Sequence, residues 1–151
     1  MRVMIAGAAL ALVIVIQVIP VKRENPPVLH EVPAPDDALA VLKRSCYDCH
    51  SNETEWPWYS HVAPISWVIS HDVNEGRDAM NLSEWDFYEP LEQRDLKDLI
   101  LEQIDEKQMP LWYYLSLHPN SKLSKTDRIA LGNWISVDAN QNTGVEPTEA
   151  R

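Results

Sequence analysis

The chain has 151 residues, which allows one compact domain with a short appendage and argues against two ordinary domains. Its formal net charge is −10, from 13 basic and 23 acidic residues, so the chain is a poor ligand for the phosphates of nucleic acid. The composition therefore predicts a single small domain whose acidic surface could steer a basic partner.

The chain begins with an apolar run, Val3 to Ile19, that contains no charged residue. Runs of this kind are export signals or membrane anchors. Because this one is longer than a typical signal-peptide core and no clear cleavage site follows it, residues 1–21 are predicted to be a transmembrane signal anchor, with a cleaved signal peptide as the alternative. Residues 22–35 are rich in proline and are predicted to form an extended linker.

Residues 36–138 contain four stretches in which apolar residues recur at three- and four-residue spacing, which predicts amphipathic helices. The predicted apolar faces are Ala38, Leu39, Leu42 and Cys46 in the first helix; Ile65, Val68, Ile69 and Val73 in the second, which starts at Pro64; Leu96, Leu99, Ile100 and Ile104 in the third, from Glu92 to Glu106; and Ile129, Leu131, Trp134 and Ile135 in the fourth. No stretch alternates as a strand does, so the predicted fold class is all-α. Residues 139–151 are predicted to be a disordered tail.

The first helix leads into the string Cys46-Tyr47-Asp48-Cys49-His50, which has the spacing of a c-type haem attachment site. Two thiols at this spacing can reach two vinyl groups of one porphyrin, and the next imidazole then lies under the iron. A thioredoxin-like redox pair would lie in a strand and helix unit, a zinc site normally needs four Cys or His ligands, and a disulfide across two residues would stabilise little. We therefore predict one covalent haem c with His50 as its proximal ligand.

Covalent haem attachment of this kind takes place on the outer side of the cytoplasmic membrane. The motif therefore predicts that the haem domain faces the periplasm, attached to the membrane by residues 1–21, or is secreted if that segment is cleaved.

The stretch CYDCHSNETEWPWYSHVAPISWVISHDVNEGRDAMNLSEW, together with the later QMPLWYYLSLHPNSKLS, closely resembles the haem-binding domain family, whose members are c-type cytochrome-like. The likeness extends over residues 30–137. The attachment motif of the family matches at Cys46, Cys49 and His50, and its Trp-Pro-Trp-Tyr and Met-Pro segments match at 56–59 and 109–110. The resemblance implies a cytochrome c-like helical domain and a bound haem, and it implies less about the role.

The sixth iron ligand decides whether the haem transfers electrons or binds small molecules. Met109 is the predicted ligand because it follows the third helix in a segment fixed by Pro110, as in small cytochromes c. The alternatives are Met80, His61, His71, His118 or an open position.

Further haem contacts are predicted from sequence position alone. They are Trp56, Trp58 and Tyr59 in the first aromatic segment, Trp112 and Tyr113 after Met109, and Arg77 as a partner for a propionate. A proximal imidazole usually donates its second ring N–H to a carbonyl, and the backbone oxygen of Pro64 or Ala63 is predicted to accept it.

The predicted protein is thus a cytochrome c-like helical domain with long loops at residues 52–63 and 108–123, and its first and last helices pack together. Its predicted role is one-electron transfer to an unknown redox partner, without turnover of a substrate. The alternative is a haem-based sensor or small-ligand-binding module with a weak or absent sixth ligand. A peroxidase would need an open iron and a distal acid-base residue such as His61 or His71.

Overall fold

The computed structural model describes residues 2–141, and the side chains of residues 4–136. The α-helices in this part of the chain are α1 (Arg2–Ile16), α2 (Asp36–Ser45), α3 (Tyr47–His50), α4 (Ile65–Ala79), α5 (Pro90–Asp105), α6 (Trp112–Leu117) and α7 (Lys125–Gln141). Short 3₁₀ turns lie at Trp58–His61, Trp85–Phe87 and Pro119–Ser121. Residues 2–141 contain no β-strand, and the all-α prediction is confirmed.

The hydrophobic core lies where α2 and α5 pack against α7, so the predicted contact between the first and last helices of the domain is confirmed. Leu42, Leu82, Trp85 and Leu131 are fully buried there. The Nε1–H of Trp134 donates to the carbonyl of Pro33 at 3.0 Å, which ties the chain ahead of α2 to α7.

Helix α4 turns a different face inward from the one its apolar pattern predicts. Ile65 and Val68 are exposed, and Val73 is the one member of the predicted face that is fully buried. The buried face consists of Ser66, Ser70, Val73 and Gly76. The short helix α3 packs on this face, and small side chains allow the two backbones to approach closely.

The N-terminal prediction needs a correction. Helix α1 has 15 residues and ends at Ile16, before the end of the apolar run. Among the described residues, no helix is both long enough and apolar enough to cross a membrane, so the predicted transmembrane helix is not supported.

Residues 22–35 have no regular helix, and they pack on the domain. The N–H of Val32 donates to the carbonyl of Leu82 at 3.0 Å, and Val32 is buried in the core. At the other end of the domain, α7 continues to Gln141, and the rest of the predicted tail lies outside the described residues.

Candidate functional site

The two cysteines lie at the junction of α2 and α3. The N–H of Cys46 closes the last turn of α2 on Leu42, and the N–H of His50 donates to the carbonyl of Cys46 at 2.9 Å. Both cysteines are free thiols, and both line the same cavity. Burial raises the pKa of each thiol to about 12, so both are protonated at neutral pH.

The orientation of the His50 ring is set by a backbone carbonyl. Its Nδ1 lies 3.2 Å from the oxygen of Met80, and because a carbonyl can only accept, Nδ1 carries the proton and Nε2 keeps its lone pair. Burial lowers the pKa of His50, which favours this neutral form. The ring therefore has the tautomer that a metal-binding histidine needs.

The predicted carbonyl partner of His50 was wrong. The carbonyl of Pro64 accepts the N–H of Trp67 at 3.0 Å, and the carbonyl of Ala63 accepts the side-chain amide of Gln17 at 3.2 Å. The segment after α4 lies beside His50 instead, since the N–H of Leu82 also donates to the carbonyl of His50 at 2.7 Å.

The cavity beside the cysteines has a volume of about 550 Å³, within the range typical of cofactor sites. Its walls come from α3, α4, α5 and the segment that leads into α6. The residues that line it are Leu42, Ser45, Cys46, Asp48, Cys49, His50, His71, Asp72, Glu75, Gly76, Ala79, Met80, Leu96, Leu99, Ile100, Gln103, Ile104, Met109, Pro110, Leu111, Tyr113, Tyr114 and Leu123.

Helix α4 passes very close to the attachment motif at Gly76. A Cβ at this position would lie 2.5 Å from the carbonyl oxygen of Cys49 and 3.1 Å from its Cβ. Gly76 lies in the last turn of α4, which ends at Ala79. Its physical role is close backbone approach, which places Cys49 against α4.

Met109 lies in the cavity wall formed by the segment after α5. Lys107 has φ of 60°, the N–H of Gln108 donates to Gln103, and the N–H of Lys107 donates to Ile104. These two bonds form a Schellman cap that ends α5 and redirects the chain. The cap therefore brings Met109 to the cavity, with its side chain 37% exposed.

The alternative ligands are placed very differently. Met80 lines the cavity, but its carbonyl bonds His50 and its side chain belongs to the core cluster, so it lies on the His50 side. His71 lines the cavity and is exposed. His118 lies outside the cavity lining; its ring stacks on Tyr114, with centroids 4.1 Å apart. His61 also lies outside the lining and is exposed.

Of the predicted aromatic contacts, Tyr113 lines the cavity and the others lie outside the lining found among the described residues. Trp58 and Trp112 are each 78% exposed. The Nε1–H of Trp56 donates to Asn25, and the hydroxyl of Tyr59 lies 3.2 Å from Nε2 of His118. These side chains pack the surface beside the cavity.

Arg77 also has a role that sequence position did not reveal. Its guanidinium donates to the carbonyls of Ser51 and Glu24, both at 2.8 Å, and to the side chains of Asn25 and Thr54. Arg77 thus ties residues 22–35 to the segment after α3, and it does not line the cavity.

Several cavity residues had no distinguishing sequence signal. Leu96, Leu99 and Ile100 read as an ordinary apolar helix face, and Tyr114 reads as one aromatic residue among several. Among the described residues, the buried hydroxyl of Ser45 has no hydrogen-bond partner, and it lies in the cavity wall directly before Cys46. A buried polar atom of this kind is suited to contact a ligand with a polar edge.

The arrangement can therefore hold a flat and largely apolar macrocycle. The cavity presents two protonated thiols and one neutral imidazole on one side and a thioether on another wall. These are the donor groups that covalent attachment and iron coordination require, and the residues present fit such a group.

Comparison with known proteins gives one result. A family model described as a haem-binding domain matches residues 11–137, which is more than half of the chain. No curated protein matches the chain, and no solved structure matches it.

Proposed function

Since this chain belongs to the haem-binding domain family, we propose that it binds one haem c covalently through Cys46 and Cys49 and transfers single electrons. The observation that carries the proposal is the tautomer of His50. The Met80 carbonyl holds Nδ1–H, so Nε2 is left as an iron ligand in the cavity that both thiols line.

Cys46 and Cys49 would hold the haem by thioether bonds. Each S–H would add across a vinyl group, so that the sulfur bonds to one carbon, the hydrogen goes to the other, and the double bond becomes single. This addition needs no oxidant. Covalent attachment would hold the cofactor in a domain whose apolar core is small.

The ligands of the proposed site are His50 and Met109. The bond to the Met80 carbonyl fixes the His50 ring and makes its Nε2 a stronger donor. Met109 would offer its thioether from the wall formed by the segment after α5, and a methionine ligand raises the reduction potential of a haem. When bound, the haem supplies an iron that alternates between the ferric and ferrous states.

In this role the protein is an electron carrier and turns over no substrate. The net charge of −10 suits a redox partner with a basic docking face. Because attachment of haem to such a motif takes place outside the cytoplasm, we place the haem domain on the outer, periplasmic side of the cytoplasmic membrane.

A second candidate is a haem-based sensor or small-ligand-binding module. The observation in its favour is that His71 also lines the cavity, where its side chain could contact a small molecule bound to the iron. Rapid binding of carbon monoxide by the ferrous protein would favour this candidate, and slow binding would favour electron transfer.

The attachment claim is tested by denaturing the exported protein and measuring whether haem stays with the polypeptide. The expected result is retention of haem in the wild type and its loss in the Cys46→Ser, Cys49→Ser double variant. His61→Ala is the matched control, because His61 is exposed and lies outside the cavity lining. Release of haem from the denatured wild type would contradict the proposed covalent attachment. A potentiometric titration without a reversible one-electron transition would contradict the proposed electron transfer.

A further inference from the structure

Two neighbouring tyrosines connect α6 to α3 and α4 through hydrogen bonds to carboxylates that line the cavity. The hydroxyl of Tyr114 donates to Oδ2 of Asp48 at 2.8 Å, and the hydroxyl of Tyr113 donates to Oδ2 of Asp72 at 3.0 Å. Asp48 lies between the two cysteines of the attachment motif, and Asp72 lies on α4. Because only Pro110 and Leu111 separate Met109 from this helix, both bonds tie the segment that carries Met109 to α3, which carries His50, and to α4.

The bond between Tyr114 and Asp48 is the more constrained of the two. Oδ1 of Asp48 accepts the N–H of Glu55 at 3.0 Å, so the carboxylate is held from both sides. The Tyr114 ring is partly buried and stacks on His118 at an interplanar angle of 17°. Tyr113, by contrast, is exposed, and so is its bond to Asp72.

We infer that Tyr114 is a positioning residue for the sixth ligand: its bond to Asp48 holds the Met109 wall at a fixed distance from His50. The inference rests on the proposed ligation by His50 and Met109. A bond between iron and a methionine sulfur tolerates little change in distance, so the position of Met109 depends on the contacts that hold its segment in place. Loss of the Tyr114 hydroxyl would therefore let the Met109 thioether leave the iron more often, while attachment through the cysteines remains.

The test uses the full-length, haem-loaded protein and compares Tyr114→Phe with Tyr47→Phe. The control also removes a phenol-to-carboxylate bond, the one from Tyr47 to Glu31, but Tyr47 lies outside the cavity lining found among the described residues. Two properties are measured: the weak long-wavelength band that a methionine ligand gives ferric haem c, and the rate at which the ferrous protein binds carbon monoxide.

The expected result is a weaker band and about tenfold faster carbon monoxide binding in Tyr114→Phe, the factor that corresponds to losing one hydrogen bond to a charged group. Tyr47→Phe should change neither property. Asp48→Asn should keep most of the band, because its amide oxygen can still accept the N–H of Glu55 while its NH2 group donates to the hydroxyl oxygen of Tyr114. A merely structural role would lower the melting temperature of Tyr114→Phe and leave the band unchanged.

The outcomes separate the two proposals. If the wild type shows the band and Tyr114→Phe retains it fully, the positioning inference is overturned and the proposed ligation stands. If the wild type lacks the band and binds carbon monoxide rapidly, the ligation by Met109 fails, and the inference fails with it.

Discussion

The close approach of α4 to the attachment motif gives the sharpest prediction of stability. In Gly76→Ala, the new Cβ would lie 2.5 Å from the Cys49 carbonyl oxygen and 3.0 Å from its carbonyl carbon. Both atoms belong to the backbone of α3, so no side-chain rotation can relieve the contact. The two helices must separate by close to an ångström.

The magnitude is the balance of two effects. Alanine is favoured over glycine inside a helix by about 1 kcal/mol. Overpacking of a well-packed interface costs about 1–3 kcal/mol, and a clash between backbones belongs at the upper end. We therefore expect Gly76→Ala to lower the free energy of unfolding by about 1–2 kcal/mol, which lowers the melting temperature by about 4–10 °C for a domain of this size.

Thermal unfolding followed by circular dichroism measures this change, and the yield of covalent haem in the same preparation reports the displacement of Cys49. Gly132→Ala is the matched control, because Gly132 also lies inside a helix and a Cβ there has no neighbour within 4 Å. The control should be as stable as the wild type or more stable. If Gly76→Ala has the same melting temperature as Gly132→Ala and binds a full complement of haem, the reasoning about close approach is refuted.

Two further predictions concern the ends of helices. Lys107 has φ of 60°, in the left-handed region that glycine adopts without cost, so Lys107→Gly should raise the free energy of unfolding by about 0.5–1 kcal/mol. Lys107→Ala keeps the Cβ and should give no such gain in stability. Equal melting temperatures for the two variants would contradict the idea that the Cβ of Lys107 strains the backbone. The pKa of Asp127 lies below its ordinary value of 3.8, first because its carboxylate accepts the backbone N–H of Ser124 and also because it pairs with Arg44. A depressed pKa contributes stability that is present above pH 3.8 and is lost as the pH falls through the lower folded-state pKa. Asp127→Asn should therefore be less stable than the wild type at neutral pH, and the difference in free energy of unfolding should shrink in acid. Chemical unfolding at neutral and at acid pH measures this difference. A difference that does not change with pH would count against a stabilising role of the Asp127 carboxylate.

The sequence predicted the main helices because their apolar spacing is regular, but it did not predict which face of α4 is buried. The apolar stripe of α4 includes Ile65 and Val68, both of which are exposed. The true contact face depends on Ser66, Ser70 and Gly76, whose small size matters only because α3 packs there. Periodicity records where apolar residues recur, and it carries no information about a neighbouring helix that needs space.

Cys46, Cys49 and His50 stand out in the sequence because they lie close together with the spacing of a haem attachment site, and their role in attachment stays a prediction. The partners of that motif are distant in sequence and were mostly missed. The carbonyl that orients His50 belongs to Met80, and any residue could supply a carbonyl, so no side-chain pattern identifies it. Tyr114 was likewise missed, because its role depends on Asp48, and only the fold brings the Tyr114 hydroxyl within 2.8 Å of the Asp48 carboxylate.

The central claim, a haem c held between His50 and Met109, is tested most directly by absorption spectra of the exported protein in both oxidation states, beside those of Met109→Ala. Met80→Leu is the matched control, because Met80 also lines the cavity but lies on the His50 side. The account predicts a weak long-wavelength band in the ferric wild type and in Met80→Leu, and its loss in Met109→Ala with the covalent haem retained. A wild type without the band whose spectrum the Met109→Ala change leaves unaltered would contradict the account.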